Sequence, residues 1–198
     1  METKTIAIIS VFAALSVVLN LSPAKIAAPF APFLYYQIWE IPIVAAFILY
    51  GVRVGVGVAV INTMVLLAVF PGALPTGPLY NFAAVLSTLL GIYIIFRFVA
   101  RYFTGRWEGM LGAFSTALGI IARVGIMSIV NWVGLRYPPP IGYGYPEGAI
   151  ITLLPLIGFF NATLALYTIP LGYFIARAVS VGTKTPAWAQ KYLKTRKI

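Results

Sequence analysis

The sequence predicts an all-α membrane protein of six transmembrane helices with both termini in the cytoplasm. Three observations predict it. First, 61% of the 198 residues are hydrophobic and only 9% are charged. An average soluble domain carries about 25% charged residues, so this chain cannot cover a water-facing surface. Second, apolar stretches approaching the about 20 residues needed to cross ~30 Å of hydrocarbon recur along the whole length. Third, the basic residues collect on alternate connections between those stretches.

The first span is Ile6–Leu21, with Lys4 ahead of it. A signal peptide could end after the small residues Ala27 and Ala28. Five further spans follow, so an uncleaved first helix is the simpler reading. The second span, Ile38–Tyr50, is short for a full crossing. It either continues across Gly51 or sits in a thinner part of the bundle. Gly55–Phe70 is the third span, and Gly51-x-x-x-Gly55 ahead of it suits close internal packing. Leu79–Tyr102, Gly109–Leu135 and Ala149–Val179 complete the set. Residues 1–181 therefore form one transmembrane domain, and 182–198 read as a basic cytoplasmic tail.

With six spans, eleven of the fourteen basic residues fall on one side. Lys25 and Arg136 fall on the other, and Arg123 lies mid-span. Positive-inside bias then places the termini in the cytoplasm of a multi-pass protein of the cell membrane. The net charge of +10 reflects this topology and contact with lipid head groups, not nucleic-acid binding. Cysteine, histidine and aspartate are absent, and the only acids are Glu2, Glu40, Glu108 and Glu147. No metal ligand set, Ser-His-Asp triad or Walker ATPase can be assembled from them. A membrane enzyme would need Glu40 and Glu147 to converge. A passive channel or scaffold is the other competing class.

The outer connections differ from the cytoplasmic ones. Ser22–Gln37, Pro71–Pro78 and Arg136–Gly148 are long, poor in charge and rich in proline and tyrosine. Proline and glycine allow such loops to be ordered without regular structure. Apolar and aromatic surface with a few placed polar groups is also the chemistry of a small-molecule site. Tyr35, Trp39, Leu74 and Tyr80 are the candidate walls. Asn81 and Asn131 fall near the outer leaflet, and Asn161 can approach them from the last span. Their amides both donate and accept, which suits a neutral heteroaromatic edge. Polar groups in a span otherwise serve helix–helix contacts. Arg123 must find a partner, a carbonyl cluster or a water-filled cavity, and Glu40 and Glu147 are the only outer carboxylates.

The order of motifs resembles the substrate-binding S components of energy-coupling factor (ECF) vitamin transporters, and the riboflavin-binding branch among them. The segment from Pro32 to Val58, PFLYYQIWEIPIVAAFILYGVRVGVGV, is similar to that branch's entry to helix 2. TGPLYNFAAVLSTLLGIYI, from Thr76, resembles its helix 4 start. ARVGIMSIVNW, from Ala122, resembles helix 5, and LLPLIGFFNATLALYTIPLGYFI resembles helix 6. Glu40 keeps the acid before the Ile-Pro pair, whereas an upstream aspartate is replaced, with Gln37 nearby. The acid near helix 4 becomes Leu79 or Tyr80, and the lysine after the helix 6 asparagine is Leu164.

The resemblance implies a non-enzymatic subunit with no bound cofactor. It would capture riboflavin, or another vitamin such as thiamin, from outside. Its partners would be a membrane T component and two cytoplasmic ATPases. Taken with the residues read above, the candidate ligand set is Tyr35, Gln37, Trp39, Glu40, Leu74, Tyr80, Asn81, Arg123, Asn131 and Asn161. The T-docking face implied is on helix 1, at Ser10, Ala13 and Ala14.

Overall fold

The computed structural model describes residues 2–69, 74–99, 108–184 and 186–188. The elements run α1 (Thr3–Leu21), β1 (Ile26–Ala28), β2 (Ala31–Tyr36), α2 (Glu40–Tyr50), α3 (Val52–Val69), α4 (Gly77–Ile94), α5 (Glu108–Gly134) and α6 (Glu147–Gly182). A π-helical turn at Ile95–Val99 continues α4. Residues 71–73 of the third connection, Arg101, Arg106 and the basic residues from Lys191 onward lie outside the described residues.

Each apolar stretch forms a helix. Five of the described helices are long and apolar enough to cross a membrane, and Glu40–Tyr50 is shorter. The chain is built as a multi-pass membrane protein. The eleven residues of α2 extend only about 16 Å at 1.5 Å per residue. They do not continue into α3. The chain reverses at Gly51, whose φ of 94° is open to glycine and costly for other residues. A side chain there would also meet the indole of Trp188.

Helix α2 is the centre of the bundle. Every residue from Glu40 to Leu49 is buried, and α2 packs on α1, α3, α4 and α6. A helix that is apolar on all sides is stable only when enclosed. Around it, α4, α5 and α6 form the tightest wall. At the crossing of α4 and α5, a Cβ on Gly91 would lie 2.6 Å from the Leu118 carbonyl oxygen. These backbones are already in contact, which small residues permit.

The first connection departs from the expectation of loops without regular structure. It folds into an antiparallel hairpin that pairs Ile26 with Tyr36, Ala27 with Tyr35 and Ala28 with Ala31. Pro29 and Phe30 make the turn. Phe33, Tyr35 and Tyr36 are aromatic residues that favour a pleated, half-buried strand. The hairpin end of the bundle also carries the ends of α1, α3 and α5 and the starts of α2, α4 and α6.

At the opposite end, the residues after α6 do not all extend away as a polar tail. Ala187 is buried, and Trp188 lies 5.6 Å edge-to-face from Phe47 and 6.4 Å stacked on Tyr93. The apolar area of the indole favours this return over exposure.

Candidate ligand site

Because α2 is short, its first turn lies well below the hairpin end. Glu40, the first residue of α2, is 3% exposed and faces Arg123, 2% exposed. The guanidinium meets the carboxylate with both terminal nitrogens, Nη1 to Oε2 at 2.5 Å and Nη2 to Oε1 at 2.9 Å. This is the bidentate arrangement that a planar guanidinium makes best. Nε donates to Oδ1 of Asn161 at 2.9 Å, and Nη1 also reaches Oγ1 of Thr88 at 3.3 Å.

The neighbours fix the direction of each bond. Thr88 donates its hydroxyl proton to the Ala84 carbonyl, so its oxygen accepts from Arg123. Asn161 donates through Nδ2 to the Ile157 carbonyl at 2.9 Å, so its Oδ1 faces the guanidinium. Four helices, α2, α4, α5 and α6, therefore meet at one charge-neutral cluster. Glu40 also stands in the first turn of α2, where a negative charge complements the helix dipole.

The hairpin is fastened just above this cluster. The Tyr36 hydroxyl and Thr163 Oγ1 are 2.8 Å apart, and the Tyr36 ring lies 4.8 Å from that of Phe160. The Tyr167 hydroxyl donates to the Gln37 carbonyl at 2.7 Å. The side-chain Oε1 of Gln37 is buried without a hydrogen-bond partner. A buried acceptor of that kind is a ready contact for a donor on a bound molecule.

The fifth connection closes the other side. Tyr80 donates to the Ile141 carbonyl at 2.9 Å, and Thr76 donates to that of Pro140 at 2.6 Å. The Tyr80 hydroxyl fills the notch left by the missing side chain of Gly134. Tyr143 stacks on Tyr145 at 5.5 Å with ring planes 19° apart. Phe33 of the hairpin lies 5.7 Å from Tyr143. Burial, then the phenols of Tyr145 and Tyr35, push the Tyr143 hydroxyl above its ordinary pKa.

The residues singled out from the sequence separate into groups. Glu40, Arg123 and Asn161 are brought into direct contact. Gln37 is tied next to them through Tyr167. Asn131 is buried two turns farther along α5 and donates to its own helix at Met127. Leu74 and Tyr80 stand at the third and fifth connections, and Trp39 is buried in the main core. Tyr35 is 44% exposed on the hairpin. Asn81 is exposed and is not among the hydrogen-bond partners of Arg123. On α1, Ser10 and Ala14 face outward, whereas Ala13 is buried in the core. Glu147 is exposed at the start of α6 and does not join Glu40. Among the described residues, no group of acids could hold a metal ion.

Thr88, Tyr36, Thr163 and Tyr167 were missed. Tyr36 and Thr163 are separated by 127 residues, so no local spacing announces their contact. A separate apolar groove of about 550 Å³ lies between α5 and α6, lined in part by Val124, Ser128, Pro155 and Phe159. It contains none of the residues singled out from the sequence.

No family model matches the sequence, and no curated protein matches it. One solved structure, described as "Structure and mechanism of the S component of a bacterial ECF transporter", superposes with a TM-score of 0.74. The alignment covers 93% of this chain and 99% of that one, at 22% identity. The fold is an S-component fold. In the S-component fold of this chain, the Arg123 cluster ties the central α2 to α4, α5 and α6, and the hairpin sits over it.

The two tyrosine ties of the hairpin are unequal. Thr163 keeps bonds to the Phe159 and Phe160 carbonyls when Tyr36 becomes Phe, so Tyr36→Phe should cost about 1 kcal/mol. Tyr167→Phe strands the Gln37 carbonyl and should cost ~1–3 kcal/mol. Thermal unfolding of detergent-purified variants should rank Tyr167→Phe as the more damaging, with faster amide exchange in β2. The reverse order would show that the hairpin is held elsewhere.

Proposed function

We propose that the chain is the substrate-capture subunit of an ECF-type importer, binding riboflavin or a related flavin at the hairpin end. The observation that carries this reading is the S-component fold over 93% of the chain. The site geometry supports it. The hairpin end gathers aromatic rings, the buried Gln37 acceptor and the Asn131 amide around a charge-neutral floor. Neutral amide edges suit the imide edge of a flavin. Leu164, at the position where the resembled family commonly has lysine, is buried in a cluster with Phe160 and Ala28, so no charge stands there.

In this reading the hairpin end faces outside and the basic opposite end faces the cytoplasm. Both termini are then cytoplasmic. The subunit binds its vitamin without chemistry and delivers it through a membrane T component and two ATPase subunits. The outward face of α1, with Ser10 and Ala14, is the docking surface, since close helix approach needs small residues.

Detergent-purified protein should quench riboflavin fluorescence, and mass spectrometry should find a flavin copurifying with it. Asn131→Leu should weaken binding by roughly 5- to 150-fold, the equivalent of ~1–3 kcal/mol for a lost buried hydrogen bond. Asn62→Leu, in the α3 packing, should stay near wild type. Thiamin copurifying in place of flavin would transfer the proposal to another vitamin. No bound heteroaromatic molecule in monodisperse protein would end it.

Docking is tested separately. Ser10→Trp and Ala14→Trp should leave vitamin binding by the isolated subunit intact. Transport in vesicles with the T component and ATPases should fall sharply. Loss of binding with docking retained would assign this face to the internal core.

A further inference from the structure

We infer that Phe33, Tyr143 and Tyr145 form an aromatic platform at the mouth of the hairpin end that stacks a planar, electron-poor heteroaromatic ring. This deepens the capture reading above and rests on it. None of the three residues was singled out from the sequence as a ligand contact.

The geometry argues for a built surface. Two elements far apart in sequence supply it, β2 and the fifth connection. Tyr143 and Tyr145 are stacked with near-parallel ring planes, 19° apart at 5.5 Å, so the pair presents an outer ring face. Phe33 tilts by 52° against the Tyr143 ring at 5.7 Å, which sets an angled ring beside the stacked pair.

The backbone holds the tyrosines in place. The Tyr145 amide donates to the Leu135 carbonyl at 3.0 Å, and the Gly144 amide donates to the Tyr137 carbonyl at 2.8 Å. Gly144 lies between the two rings at φ 67°, a conformation that glycine adopts without strain. Tyr80 and Thr76 fasten the same connection from α4. A surface already ordered loses little freedom when a ligand arrives.

The chemistry selects the ligand class. Phenol rings are electron-rich and present a negative face, so they stack best on an electron-poor ring. The platform itself has no ionic side chain, and Tyr143 is kept as the neutral phenol by its surroundings. A planar neutral ring therefore suits it better than an aliphatic or anionic nutrient.

The probes are riboflavin and, separately, thiamin, added to detergent-purified protein and followed by fluorescence quenching and calorimetry. Tyr143→Leu and Tyr145→Leu should each weaken riboflavin binding about 5-fold or more, as removal of a stacking ring does elsewhere. Tyr143→Phe, which keeps the ring, should stay within about 2-fold. Tyr137→Leu, on the same connection but outside the platform, should match wild type. Leu variants that bind riboflavin like wild type overturn the platform while the capture reading stands. A Phe variant as weak as the Leu variant overturns stacking in favour of the hydroxyl. If wild type leaves riboflavin unquenched, the flavin reading fails. Thiamin binding that falls in the Leu variants then upholds the platform, and absence of thiamin binding overturns it.

Discussion

The contact on which the bundle depends is the buried pair of Arg123 and Glu40. A guanidinium in hydrocarbon is tolerated only with partners. Here every partner belongs to a different helix: Glu40 to α2, Thr88 to α4 and Asn161 to α6. A buried pair contributes little net stability over a well-packed apolar substitute. Its effect is on register. Only one relative placement of four helices satisfies the carboxylate, the amide and the hydroxyl together.

The pair also joins the floor of the hairpin end to its cover. Strand β2 ends at Tyr36, and Glu40 follows after only three residues. Tyr167 grips the start of that link at the Gln37 carbonyl. The hairpin is therefore connected by a short, bonded link to the first turn of α2, and through Arg123 to α4, α5 and α6. The tight crossing of α4 and α5 at Gly91 gives these helices a rigid base.

The helices were legible in the sequence because hydrophobicity alone specifies them. Boundaries fell within a few residues, as from Ala149 to Glu147 at α6. The hairpin was not legible. Pro29 and Pro32 obscure the strand alternation, and the aromatic residues of β2 also read as an interfacial belt. Arg123 and Asn161 announced themselves as costly polar groups in spans, and Glu40 was one of two carboxylates able to answer them. Thr88 and Tyr167 carried no such signal, since threonine and tyrosine are unremarkable in a membrane helix. Trp188 was hidden by composition, because the residues around it are polar and basic. Asn81 resembled Asn131 in lying near the outer end of its helix, but a side chain's face depends on packing that the sequence does not state.

The most direct test of this account is a double-mutant cycle on Glu40 and Arg123, read by equilibrium unfolding in mixed detergent. Glu40→Gln and Arg123→Met each leave a buried partner stranded, which costs about 3–5 kcal/mol. The double variant should recover much of that loss, with a coupling energy of about 2 kcal/mol or more. Single effects that add to within ~0.5 kcal/mol, as for independent sites, would contradict it.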